Sequence, residues 1–307
     1  MSAPVTFGVL PGHDESGDVV GTSQLAEALG FHSVWFGDHV LWYVPVPDPF
    51  VLLSHVAAQT ERVLLGTGVY LAPLRPPPAV AKQAATLDLI SGGRFIFGVG
   101  VGGENPVEYE ASGVPLRERG RRLDETLEIC RLLWSGERVS YQGRVFRVPE
   151  TRLDTPPARP GGPPIWVGGR SEGALRRAGR LGDGWLAFVV TPERFAGSWD
   201  AVRRHAEAAG RNPDALTPAL QIWCQLAPTE EEALAAIAPA MEAMYRTPYE
   251  RFRRYTIAGT PEQWLERLRA FTRAGVRHFN LIFAAGDVRT QMLQFAEEVL
   301  PHAGSLT

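Results

Sequence analysis

The chain has 307 residues, 45% hydrophobic and 21% charged, with a formal net charge of −3 and a pI of about 6.2. That apolar content excludes an intrinsically disordered chain, and the near-neutral charge excludes a global basic field that would attract nucleic acid or anionic membrane. No apolar run reaches the roughly 18 residues of a membrane span, and the opening MSAPVTFGVL has no basic stretch followed by an apolar one, so a cytoplasmic protein is expected.

Short apolar runs alternate with longer amphipathic ones. Thr6–Leu10 reads as a strand and Thr22–Leu29 as a helix. Ser33–Phe36 is a second strand, followed by an aromatic and proline-rich loop, Leu41–Phe50, and a helix over Val51–Thr60. Arg62–Thr67 is a third strand. Ala79–Ile90 is helical, with Val80, Ala84, Leu87 and Ile90 on one face. Arg94–Gly98 is a fourth strand. Glu118–Trp134 is the strongest helix, with Leu123, Leu127, Cys130 and Trp134 on its apolar face. Around Gly143 the rhythm breaks, and Val139, Tyr141, Phe146 and Val148 predict a hairpin. The alternation then resumes with strands over Pro164–Val167, Gly184–Val189, Thr217–Leu226 and Arg277–Phe283. Helices cover Glu172–Arg180, Pro192–Ala209, Glu230–Tyr245, Pro261–Ala274 and Thr290–Leu300, with Thr260 as an N-cap and Gly275 as a stop. Cys130 and Cys224 lie in apolar contexts and read as reduced core thiols.

Eight strands, apolar on both faces and separated by helices, predict a closed (β/α)8 TIM barrel. It forms one domain over 1–307, with a small insertion at about 135–162 before strand five. The rival doubly wound sheet needs a glycine-rich first turn, and Pro11–Asp18 lacks one.

In such a barrel the site lies at the C-terminal ends of the strands. Asp38-His39 follows strand two and puts a titratable imidazole on the rim beside a carboxylate. Gly66–Tyr70 follows strand three. Gly98–Gly103, including Gly102, follows strand four and reads as a loop packed against a flat ring, with Glu104 and Asn105 at its tip. Gly168, Gly169, Arg170 and Ser171 open a helix after strand five, where free N–H groups and the helix dipole suit a phosphate. Trp42, Tyr43, Pro45, Pro47 and Pro49 form an apolar loop beside His39, either a substrate lid or a subunit contact. The seven histidines show no metal-ligand spacing and no G-x-S-x-G elbow is present, so neither a metal site nor a serine hydrolase is expected.

Together these segments resemble the bacterial luciferase-like family, and within it the oxidoreductases that depend on coenzyme F420, a deazaflavin. The motifs are GFHSVWFGDHV (30–40), RVLLGTGVYLAPLRPPPAVAKQAATLDLISGGRFIFGVGVGGENPVEYEASG (62–113), RGRRLDETLEICRLLW (119–134), PPIWVGGRSEGALRRAGRLGDGW (163–185) and GTPEQWLERLRAFTRAGVRHFNL (259–281). The resemblance implies the barrel and its insertion. It implies that His39 faces the redox ring and assists proton or hydride transfer. It implies a cis peptide at Gly68-Val69 behind the ring, and a phosphate held by Gly168–Ser171. Glu104 or Asn105 corresponds to a polar tip that acts as acid or ring contact; Asp38 and Gly102 fall among the cofactor contacts. The implied reaction is hydride transfer between F420 and a small organic substrate. FMN, used by members that activate oxygen as monooxygenases, is the alternative cofactor, and a catalytically idle flavin-binding barrel is the alternative role. A homodimer is expected, since many relatives are dimers.

Overall fold

The computed structural model describes residues 4–12, 17–284 and 286–306. In chain order the elements are β1 (Thr6–Val9), α1 (Val19–Ala28), β2 (Ser33–Phe36), α2 (Pro49–Ala57), β3 (Leu64–Thr67), α3 (Pro77–Ile90), β4 (Phe95–Val99), α4 (Pro106–Ala111) and α5 (Arg119–Trp134). Next come β5 (Val139–Gln142), β6 (Arg147–Thr151), β7 (Ile165–Gly168), α6 (Glu172–Leu181), β8 (Gly184–Phe188), α7 (Pro192–Ala208) and β9 (Thr217–Leu226). The chain finishes with α8 (Glu230–Tyr245), β10 (Ile257–Gly259), α9 (Pro261–Arg273), β11 (His278–Phe283) and α10 (Val288–Glu298).

Eight parallel strands close a (β/α)8 barrel in the order β1-β2-β3-β4-β7-β8-β9-β11, with β11 returning to β1. Proline opens α2, α3, α4, α7 and α9, where its missing N–H costs nothing and its fixed φ suits the first turn. At α9, Gln263 Oε1 accepts the Thr260 N–H at 2.9 Å, which anchors the predicted start. Leu123, Leu127, Cys130 and Trp134 of α5 are buried as expected, and both cysteines are buried and unpaired. On α3 the expected face is right except at its end. Ile90 is exposed, because a stripe running through Val80, Ala84 and Leu87 arrives next at Ser91, which is buried instead.

Two short elements were not anticipated. β10 is only three residues long and pairs with Cys224–Leu226, beyond the stretch of β9 that meets β8. α4 is a six-residue helix after β4. The insertion is the antiparallel pair β5–β6. The buried Glu125 of α5 holds its turn, accepting N–H groups from Arg144 at 2.9 Å, Val145 at 3.0 Å and Phe146 at 2.8 Å.

Inside the barrel, Trp35 and Trp166 pack with ring centroids 5.2 Å apart. Glycines on neighbouring strands make their room. A Cβ on Gly8 would lie 2.6 Å from Trp35 Nε1, and one on Gly184 would lie 2.7 Å from Trp166 Cδ1. Below them His278 shares hydrogen bonds with Thr6 Oγ1 (2.8 Å) and Ser33 Oγ (3.3 Å). Full burial pushes its pKa down to about 3, so it is a neutral part of the packing. Among the described residues no helix is long and apolar enough to cross a membrane.

Candidate active site

The floor of the barrel mouth is built at the end of β3. The Gly68–Val69 peptide bond is cis. Gly68 N–H donates to Phe36 O at 2.8 Å, and Gln221 Nε2 donates to Gly68 O at 3.3 Å. Asn280 Nδ2 donates in turn to Gln221 Oε1 at 2.9 Å, while the buried Asn280 Oδ1 has no partner among the described residues. Tyr70 N–H bonds Gly98 O at 2.8 Å, and Gly100 N–H returns to Tyr70 O at 2.9 Å. The Val69 side chain therefore lies across the floor towards β4 and β7. Gly100 and Gly168 leave space for it; a Cβ on Gly168 would come within 2.8 Å of Val69 Cγ1. Gly100 and Gly168 thus form a glycine-cleared cradle around Val69.

His39 stands at its edge, just past β2, with a side chain 22% exposed. Its Nδ1 lies 3.1 Å from Oε2 of Glu108, a fully buried carboxylate on α4. Glu108 also accepts the N–H groups of Val40 (2.7 Å) and Leu41 (3.2 Å). A carboxylate so placed accepts, so Nδ1 carries hydrogen and Nε2 is the nitrogen left for chemistry. No partner meets Nε2 among the described residues. The Trp42 indole stacks on the imidazole, with centroids 3.7 Å apart at 19°. Trp42 Nε1 donates to the Met244 carbonyl at 3.1 Å, tying the loop to the end of α8. A cavity of about 410 Å³ lies along this loop, lined by His39 and residues 40–46.

The other sequence candidates fall in distinct places. Asp38 is buried, and Arg75 grips both of its oxygens at 2.5 and 2.9 Å, while Leu71 N–H adds a bond of 2.8 Å. Its carboxylate thus anchors the end of β2 to the segment after β3. Asn105 is likewise spent inside the protein: Oδ1 caps α4 through Val107 N–H (3.3 Å) and Nδ2 donates to Leu41 O (2.9 Å). Glu104 is exposed at the rim. The carboxylate that meets His39 is Glu108, which the sequence reading did not single out. The signal for it was present: Asn105-Pro106 is a helix start, and Glu108 falls at the third helical position. Gly102 has φ 55° and a Cβ there would press on the Leu71 side chain.

Gly168 ends β7 and Gly169 has φ 117°, a region that favours glycine. Ser171 caps α6 by accepting Ala174 N–H at 3.3 Å. The N–H groups of Glu172 and Gly173 have no protein acceptor among the described residues. Arg170 is exposed beside them, with one bond of 3.3 Å to Val189 O. The arrangement presents two backbone donors and a guanidinium, the donor set of an anion site.

A barrel with this floor, this rim histidine and this anion-ready helix start matches a known family model. Residues 2–278 match the model described as luciferase-like monooxygenase. The chain belongs to the luciferase-like monooxygenase family. Within that family, it is similar to an F420-dependent glucose-6-phosphate dehydrogenase of Nakamurella multipartita, 29% identical over 99% of this chain and 98% of the relative. It is also similar to an F420-dependent hydroxymycolic acid dehydrogenase of Mycobacterium tuberculosis, 35% identical over 75% of this chain and 65% of the relative. Among solved structures of the fold, an F420-dependent secondary alcohol dehydrogenase superposes with a TM-score of 0.88, at 22% identity over 98% of this chain and 99% of that one.

Proposed function

We propose that this luciferase-like barrel is an oxidoreductase that moves a hydride between coenzyme F420 and a small organic substrate. The observation that carries the reading is the oriented imidazole: buried Glu108 fixes Nδ1 of His39 and leaves Nε2 at the edge of the cradle. The names of the curated relatives support F420 as the cofactor.

The residues fit such a group. Val69, between Gly100 and Gly168, would support the ring, and the orphaned Asn280 Oδ1 below Gly68 leaves an acceptor in the floor. The first-turn N–H groups of α6 and Arg170 would hold its phosphate. When bound, the deazaflavin supplies a ring carbon that accepts or gives a hydride. The chain supplies the rest. His39 Nε2 takes the proton of a substrate hydroxyl, or returns it to a carbonyl in the reverse direction. Glu108 balances the charge that then forms on the imidazole. Trp42 covers one face of His39 and sheds water from it. Asp38, through Arg75, holds the turn that aims His39, and Asn105 holds α4 against Leu41. Glu104, at the mouth but exposed, is left the part of a rim charge, while Glu108 fills the acid's place behind His39.

FMN remains the second reading, since a type II Baeyer-Villiger monooxygenase solved in complex with FMN shares the fold with a TM-score of 0.76. Arg170 tests the cofactor assignment. Arg170→Glu places like charge at the phosphate position, and the dissociation constant for F420 is expected to rise roughly tenfold or more, read by fluorescence titration. An unaltered constant would put Arg170 outside the site.

A further inference from the structure

The loop beside His39 is held from two sides. Leu41 is fixed to α4, through its N–H on Glu108 and its carbonyl on Asn105. Trp42 and Tyr43, which follow, lean on the end of α8. The Trp42 indole N–H is shared between two acceptors of one residue, the Met244 carbonyl at 3.1 Å and the Met244 sulfur at 3.2 Å. The Arg246 guanidinium lies over the Tyr43 ring, 5.3 Å from its centroid. Because Trp42 stacks on His39, this clasp governs how much of the imidazole solvent reaches. One part of it is chemically soft. A thioether sulfur is polarisable, accepts only weakly and is open to oxidation. Met244 is partly exposed, whereas Met241 and Met292 are buried, as are Cys130 and Cys224. Met1 lies outside the described residues. A peroxide arriving from solvent therefore meets the Met244 sulfur ahead of the other described sulfur atoms.

We propose that Met244 is a site of reversible oxidation, and that its sulfoxide loosens Trp42 and exposes more of His39. The oxidant is hydrogen peroxide. Its O–O bond breaks, one oxygen bonds to the sulfur and the other leaves as water, with two electrons passing from sulfur to peroxide. A dithiol reductase reverses the step: it gives back two electrons as it closes to a disulfide, and the oxygen leaves as water. The geometry leaves the new oxygen no neutral place. Towards Trp42 it is driven into an indole nitrogen already 3.2 Å from the sulfur. Towards the protein it enters the apolar cluster that contains Ile237 and Met241, against which Met244 packs, and a polar oxygen there is costly. Turning out to solvent satisfies the oxygen but takes the sulfur off the indole. Each outcome strains or breaks the shared hydrogen bond and leaves Trp42 to the Met244 carbonyl alone.

The test uses the whole protein without added cofactor or substrate, so its result stands apart from the cofactor assignment. The protein is treated with hydrogen peroxide, and peptide mass spectrometry follows the gain of oxygen at each methionine. The same maps read the rate at which diethyl pyrocarbonate modifies His39, with the exposed His55 as reference. We expect Met244 to oxidise before Met241 and Met292. Modification of His39 relative to His55 should then rise roughly fivefold or more, as loss of one hydrogen bond's restraint does. Methionine sulfoxide reductase should restore the original rate. Met244→Leu, similar in volume, offers no sulfur, and its His39 rate should not respond to peroxide. Trp42→Phe keeps a ring beside His39 but has no N–H for the sulfur to hold, and it too should not respond. Oxidation of Met241 or Met292 ahead of Met244 would overturn the proposal. So would an unchanged His39 rate in the Met244 sulfoxide, or a wild-type response to peroxide in either variant.

Discussion

His39→Ala is expected to lower the rate of hydride transfer by roughly 10²–10⁴-fold, the span that a positioned acid–base group contributes. The F420 affinity should stay near that of the wild type. The reason lies in the division of labour at the mouth. The ring's support would come from backbone and Val69, and its phosphate contacts from α6, which follows β7, three strands from β2 in the barrel order. His39 instead presents one nitrogen, with the other committed to Glu108 at 3.1 Å. Removing the imidazole deletes the proton acceptor and leaves the cradle standing. Single-turnover kinetics with the F420-loaded protein reads this directly, and a variant that transfers hydride at the wild-type rate would deprive His39 of its chemical role.

Glu108→Gln is expected to be nearly as damaging, on the order of 10²-fold or more in turnover, by a different route. The amide oxygen of glutamine can still accept from Val40 and Leu41, which Glu108 holds at 2.7 and 3.2 Å. What remains to face His39 Nδ1 is then an NH2 group, which donates. Two donors cannot pair, so the imidazole must move its proton to Nε2 or swing away. Either outcome removes the acceptor nitrogen from the site. A buried carboxylate exchanged for a mismatched amide also costs about 1–3 kcal/mol of stability. Stability alone would not distinguish a positioning role. Nitrogen NMR of the His39 ring does: hydrogen on Nδ1 in the wild type, and a shift towards Nε2 in the variant. An unchanged tautomer with unchanged turnover would reduce Glu108 to a structural plug.

The barrel was legible because parallel strands buried on both faces leave a plain mark. Runs such as Val34–Phe36 and Phe95–Val99 are apolar throughout, and the helices between them carry a stripe on one side. Where the signal was short, it failed. The strand Ile257–Gly259 has three residues and no period to detect. The rim histidine could be placed from its position after strand two, but its partner could not. Glu104, Glu108 and Glu110 lie within seven residues of one another, and composition does not say which turns inward. That choice is made by contacts far off in sequence, where Val40 and Leu41 offer N–H groups to α4. Asp38 shows the same limit. It is expected among the cofactor contacts, and the sequence does not tell that Arg75, thirty-seven positions along, meets both of its oxygens.

We propose that the cradle over Val69 holds a deazaflavin beside His39. Parallel equilibrium titrations of the purified protein with F420 and with FMN test it most directly. F420 should bind with a dissociation constant in the low micromolar range or below, and more tightly than FMN. Tight FMN binding with no measurable uptake of F420 would contradict the account.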